Sequence, residues 1–303
     1  MTSPVVPLGF AWLEVTGRCN LECSHCYADS SPRGTHGTMT VDDWTDTITQ
    51  LAGMGTRDVQ FIGGEPLLHP HIERLIVHTR TAGLTVEVFS NLVTVPERLW
   101  RVFTEYGVRL ATSYYSDTAA DHDAVTERKG SHARTRANIQ RAQELGLTLR
   151  GGVIQVRPEQ RAVQAQQDLK DLGLTVVGAD RTRAFGRASQ GAAPTMADLC
   201  GHCADGKAAV GPDGSVWPCV LGRFISLGNV RQTPIADIWS GPATRRARSE
   251  IQAAHGNMPA QSCTPPQFLP MCGPCSPCVP SVGHCDPRIA DGPAATIGTP
   301  ART

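Results

Sequence analysis

Gly17-Arg18-Cys19-Asn20-Leu21-Glu22-Cys23-Ser24-His25-Cys26-Tyr27 follows directly on a β-prone run, Phe10 to Val15. The spacing is C-x-x-x-C-x-x-C, on a loop that leaves a strand. Three thiolates so close together suit three corners of an iron–sulfur cube, and the fourth iron is left without a protein ligand. The next cysteine is Cys200, too distant in sequence to close the cluster locally. An open iron can bind a substrate, so the pattern reads as a catalytic cluster and not a closed electron-transfer one. A zinc knuckle is the alternative, with His25 or His36 completing a tetrahedron, but zinc usually recruits a second C-x-x-C pair or two histidines.

The net charge of +0 excludes a general electrostatic pull towards nucleic acid or a membrane surface. Apolar runs are short, with nothing near the ~20 residues of a membrane span. Met1-Thr2-Ser3-Pro4 lacks the charged start and apolar core of a signal peptide. Eleven cysteines, an odd number, with no export signal point to thiolate–metal chemistry in a reducing cytoplasm and away from disulfide stapling.

Outward from the triplet, β-prone runs alternate with helical stretches. The expected strands are Phe10–Val15, Asp58–Ile62, Thr85–Phe89, Val108–Ser113, Thr148–Val156 and Leu174–Val177. The expected helices are Val41–Met54, His71–Ala82, Pro96–Tyr106, Ser131–Leu145 and Glu159–Leu172. Thr40 and Pro96 mark helix starts, while Gly83, Gly107, Gly146 and Gly173 mark stops. Six strands alternating with five helices predict right-handed parallel βα units, two short of a closed eight-unit barrel. The fold class is therefore α/β, a partial (β/α)6 TIM-like barrel over residues 8–185. A cysteine-rich domain over residues 195–286 follows, held by metal more than by a large core. The Pro-, Ala-, Gly- and Thr-rich stretch 287–303 is expected to be disordered.

The triplet, with Gly63-Gly64-Glu65-Pro66 about 40 residues on, resembles the radical S-adenosylmethionine (SAM) enzymes. In that family the open iron chelates the amino and carboxylate groups of SAM. An electron from the cluster cleaves the sulfonium, and a 5′-deoxyadenosyl radical abstracts hydrogen from substrate. The resemblance implies that Gly63, Gly64 and Glu65 receive the ammonium of SAM, although two glycines also fit a plain β-to-α turn. It implies cofactor contacts from Ser90 and Asn91 after the third strand and from Ser113 on the fourth. His25 and Tyr27 would stand near the adenine, with Val153-Ile154-Gln155-Val156 as its apolar wall or simply as core. Tyr114 would face cofactor or substrate, or pack at the barrel mouth.

Gly211-Pro212-Asp213-Gly214-Ser215-Val216-Trp217-Pro218-Cys219 reads as a hairpin with Pro-Asp-Gly at its turn. With Cys203 it resembles the SPASM domain found in radical SAM enzymes that mature peptides, as does Leu227-Gly228-Asn229-Val230 with Pro234-Ile235-Ala236-Asp237-Ile238-Trp239. Cys200, Cys203, Cys219, Cys263, Cys272, Cys275, Cys278 and Cys285 suffice for two auxiliary [4Fe–4S] clusters. By chain order Cys200, Cys203, Cys219 and Cys278 would hold the first, and Cys263, Cys272, Cys275 and Cys285 the second. The spacing Cys272-x(2)-Cys275-x(2)-Cys278-x(6)-Cys285 departs from the family's C-x(2)-C-x(5)-C-x(3)-C, which leaves that division open. Zinc-ribbon ligation is the alternative.

The resemblance implies an oxidoreductase of natural product biosynthesis that crosslinks or dehydrogenates a ribosomally made peptide. The alternatives are a dehydrogenase or epimerase of a small molecule such as an aminoglycoside-type sugar, and a non-catalytic metal-binding protein. It implies an external one-electron reductant of flavodoxin or ferredoxin type. With the first strand near Phe10, leader recognition would fall to a separate leader-peptide-binding protein or to the C-terminal region.

Overall fold

The computed structural model describes residues 6–255. Its centre is six parallel strands in sequence order: β1 Phe10–Glu14, β2 Asp58–Ile62, β3 Thr85–Phe89, β4 Arg109–Tyr114, β5 Leu149–Gln155 and β6 Val176–Arg181. Between them run α1 Val41–Gly53, α2 Ile72–Thr81, α3 Glu97–Glu105, α4 Ala119–Thr126, α5 Ser131–Glu144 and α6 Ala162–Asp171. The expected partial barrel is present, with its strands and helices displaced by a few residues at most. Thr40 starts α1 through a capping box with Asp43. Gly83, Gly107, Gly146 and Gly173 all take positive φ just past their helices. The helix α4 was not expected, because Ala119-Ala120-Asp121-His122-Asp123-Ala124-Val125-Thr126 carries little apolar periodicity; Thr118 starts it by accepting from the Asp121 amide.

Side chains alternate between the two faces of each strand, and the register sorts them. One face carries Leu13, Phe61, Val88, Leu110 and Val153, all buried against the helices. A Cβ on Gly151 would meet Leu169 of α6 at 2.7 Å, which fixes that face as the helix side. The opposite, inner face is polar. Gln60 pairs in register with Glu87, and Ala111 with Arg150. Arg150 donates to Glu87 through Nε at 2.9 Å and Nη2 at 2.6 Å, and the Gln60 amide donates to the same carboxylate. All three residues are buried. Such a pair persists in the interior because both charges keep directional partners.

The sheet does not stop at β1. On its far side lies β7 Lys207–Val210, parallel to β1, followed by the antiparallel β8 Ser215–Trp217 and β9 Gly228–Asn229. The hairpin turn forms as the sequence indicates, with the Gly214 amide donating to Gly211 O at 2.9 Å and Asp213 accepting from the Ser215 amide at 3.0 Å. The attachment of β7 to β1 is new. Lys207-Ala208-Ala209-Val210 is too short and too alanine-rich to announce a strand. The helices α7 Ile235–Ser240 and α8 Pro242–His255 follow. The second buries only Thr244, Ala247 and Ile251, a narrow stripe that leaves a weak sequence signal. No helix among the described residues is long and apolar enough to cross a membrane.

Candidate active site

Backbone hydrogen bonds build the cysteine loop at the C-terminal end of β1. Cys19 N donates to Ser31 O at 3.0 Å, Gly17 N to Thr35 O at 2.9 Å, and Cys26 N to Cys23 O at 3.1 Å. From α4, Thr126 O and Val125 O accept the amides of Glu22 and Ser24. Cys19 and Cys23 are buried and Cys26 is partly exposed.

Gly63-Gly64-Glu65 lies directly on this loop. Gly64 N donates to Thr16 O at 2.7 Å and Glu65 N to Arg18 O at 2.9 Å. A Cβ on Gly63 would meet Thr16 O at 2.5 Å, and one on Gly64 would meet Arg18 O at 2.4 Å. Both must be glycine so that two backbones can touch, whatever ligand they also face. Glu65 is 1% exposed, and its carboxylate accepts from Asn91 N at 2.8 Å and Leu67 N at 3.1 Å. Burial raises its pKa to about 7 against those hydrogen bonds.

Ser90 and Asn91 follow β3. The Ser90 hydroxyl accepts from Leu92 N at 3.0 Å. Asn91 Nδ2 donates to Asn20 Oδ1 at 2.7 Å and lies 3.8 Å from Cys19 Sγ, so Asn91 joins Glu65 to the first cysteine. Ser113 is on the inner face, in register with Gly152, and its buried hydroxyl has no partner among the described residues. His25 is buried beside the Tyr115 ring, 5.0 Å between centroids, with neither ring nitrogen bonded among the described residues. Burial, and then the nearby Arg187 charge, lowers its pKa to about 4, so the ring is neutral. Tyr114, in contrast, points to the helix side and donates to Asp168 of α6 at 2.6 Å.

Cys200, Cys203 and Cys219 come together at the hairpin. Cys203 Sγ donates to Cys219 Sγ at 3.1 Å. Hydrogen bonds with the Cys200 thiol and then with Cys219 raise the pKa of Cys203, whereas the bond from Cys203 lowers that of Cys219 against burial and the nearby Cys200. Cys263, Cys272, Cys275, Cys278 and Cys285, with the stretch 287–303, lie outside the described residues.

Two arginines that the sequence reading passed over tie these parts together. Arg187 donates from Nε to Cys23 O at 2.9 Å and from Nη2 to Ser30 O at 2.7 Å, and its amide donates to Cys26 O at 3.0 Å. Arg223, four residues after Cys219, pairs with Glu14 at the end of β1. Neither sits in a periodic pattern, so only the tertiary contacts reveal them.

Three thiols on one clamped loop, with an imidazole and an inner-face hydroxyl that have no partner among the described residues, fit a cluster and an adenosyl ligand. Residues 13–158 match the model of the Radical SAM superfamily, and residues 200–279 match SPASM, an iron–sulfur cluster-binding domain. The antilisterial bacteriocin subtilosin biosynthesis protein AlbA of Bacillus subtilis is 24% identical over 78% of this chain and 60% of its own length. PqqA peptide cyclase of Xanthomonas campestris is 32% identical over 48% of this chain and 40% of its own. The chain thus spans less than two thirds of either relative. The fold matches SuiB of Streptococcus suis bound to S-adenosylmethionine, with a TM-score of 0.66 at 15% identity over 81% of this chain and 68% of that one. The chain carries a radical SAM domain followed by a C-terminal SPASM domain. Its cofactors are accordingly SAM, a SAM-binding [4Fe–4S] cluster and auxiliary iron–sulfur clusters.

Proposed function

We propose that this protein is an enzyme that oxidises a ribosomally made peptide, forming a crosslink or a dehydrogenated residue. The observation that carries the reading is the continuous sheet. β7 joins the hairpin before Cys219 to β1, and β1 leads into the Cys19–Cys26 loop, so both thiol sets belong to one scaffold. Register puts Trp12, Ala209 and Trp217 on the inner face beside Gln60.

Bound there, SAM and its cluster supply a 5′-deoxyadenosyl radical, and an auxiliary cluster supplies an acceptor for a second electron. The chain's own contribution is positional. Cys19, Cys23 and Cys26 would hold the first cluster, and Gly63, Gly64 and Glu65 the ammonium of SAM. Ser90, Asn91, Ser113, His25 and Tyr27 would line the remainder of that site. Neutral His25 adds no charge beside the cluster, and its ring can accept or donate one hydrogen bond. Cys200, Cys203 and Cys219, with Cys278, would hold one auxiliary cluster, and Cys263, Cys272, Cys275 and Cys285 another. Residues 8–185 and 195–286 divide this labour, in the cytoplasm, with a flavodoxin- or ferredoxin-type donor and a separate leader-binding protein.

A peptide substrate is supported by the kinds of proteins resembled: a bacteriocin biosynthesis protein, a peptide cyclase, and SuiB, also solved bound to precursor peptide SuiA. The test is incubation, with SAM and a reductant in deuterated buffer, with the short peptide encoded beside its gene. A product lighter by two hydrogens is expected. An unchanged or deuterium-shifted mass would mean epimerisation, and an unmodified peptide alongside an oxidised small molecule would overturn the peptide reading.

A further inference from the structure

The Arg223 guanidinium is the meeting point of three separate parts of the chain. It pairs with Glu14, which is buried at the end of β1. It lies over the Tyr27 ring, 5.1 Å from the centroid, one residue beyond the last cysteine of the loop. It also lies over the Trp217 ring at 4.9 Å, two residues before Cys219. Its Nε donates to Val220 O at 3.1 Å, which ties the side chain to its own loop. A cation between two aromatic faces, with a buried carboxylate as its counter-charge, is held in one orientation. The Glu14 charge helps to keep its pKa raised although burial opposes this.

We propose that Arg223 is the positioning residue through which the auxiliary-cluster segment sets the SAM site. The thiol of Cys219 and the Arg223 side chain belong to one short loop, closed by Gly222 N donating to Cys219 O at 3.1 Å and Ile225 N to Gly222 O at 3.0 Å. Ordering Cys219 around its cluster therefore orders Arg223. Arg223 in turn fixes the ring of Tyr27 and the carboxylate of Glu14 at the mouth of β1. Lysine keeps the charge but loses the planar fork and the stacking, so it restores the contact only in part. The inference rests on Tyr27 lying beside SAM, as in the proposed function.

The experiment compares wild type, Arg223→Met, Arg223→Lys and Cys219→Ala after anaerobic reconstitution. SAM affinity is measured by calorimetry, and the EPR spectrum of the reduced cluster is recorded with and without SAM. Outer-sphere partners of metal sites commonly carry 10–100-fold effects, so Arg223→Met should bind SAM roughly 10–100-fold more weakly with about four irons retained at Cys19, Cys23 and Cys26. Arg223→Lys should fall between, and Cys219→Ala should weaken SAM binding in the same direction. Wild-type SAM affinity and EPR shift in Arg223→Met would overturn the proposal. If Arg223→Met misfolds because Glu14 is stranded, the Glu14→Gln/Arg223→Met pair removes that charge, and its SAM affinity decides in the same way. Failure of SAM to alter the wild-type spectrum would instead refute the reading of the site itself.

Discussion

The two thiol sites among the described residues are built in opposite ways. At Cys19–Cys26 the backbone does the holding: loop amides bond to Ser31, Thr35, Val125 and Thr126, and Cys19 Sγ accepts the Leu21 amide at 3.3 Å. At Cys200–Cys219 the sulfurs meet one another, with Cys203 and Cys219 3.1 Å apart and their two pKa values pushed in opposite directions. The first site is local, eight residues on one loop. The second gathers thiols across a hairpin whose place is decided by β7 pairing with β1. A local site can be read from spacing, whereas a site made by sheet pairing depends on register.

Removing the local site gives the largest effect. Cys19, Cys23 and Cys26 together replaced by Ala should abolish SAM cleavage and lower iron from about twelve to about eight per chain. Loss of iron at both sites, by iron assay and EPR, would break the claim that they are built separately.

The inner-face pair lies on the scaffold they share. Arg150→Met leaves Glu87 buried without its counter-charge, and should cost about 3–5 kcal/mol of stability in anaerobic denaturant unfolding. A loss below about 1 kcal/mol would place this pair among solvent-screened ones.

Glu65→Gln sharpens the local side. Losing a charge-assisted bond to an ammonium should weaken SAM binding by about 1.5–3 kcal/mol with iron content unchanged. Burial holds Glu65 up to about 7, above its ordinary 4.5, so between those values the folded chain keeps a proton that the unfolded chain has released. That stabilisation declines as pH rises through about 7. A bound ammonium favours the carboxylate, so SAM affinity in wild type should increase across that range and lose this dependence in Glu65→Gln. Flat affinity in wild type would reduce Glu65 to the turn residue that Leu67 N and Asn91 N already make it.

Thr40→Ala, far from both sites in role, removes the α1 capping box at a cost of about 1 kcal/mol. Thermal unfolding should register it while SAM affinity stays constant; a change in affinity would mean that the cysteine loop leans on α1.

Much of this was legible in the residues themselves. Alternating runs such as Asp58–Ile62 and Thr85–Phe89 stand at the expected places because a strand buried on its helix side needs apolar residues at every second position. The cysteine triplet was legible because its chemistry needs only short-range spacing. The α4 helix was not, since its residues carry capping but no periodic face. Nor was Tyr114's direction, because a shift of one residue along β4 separates the helix side from the inner face.

By itself the sequence determined the parallel βα order, the thiol triplet and the Pro-Asp-Gly hairpin, since each depends on residues close together in the chain. Tertiary structure alone decided that β7 extends the sheet beside β1, that Glu87 and Arg150 meet across the inner face, and that Arg223 joins Glu14, Tyr27 and Trp217. The physical reason is range. Hydrogen-bond spacing and apolar period act over a few residues, whereas a guanidinium finds its carboxylate only after the sheet has brought together residues 209 positions apart.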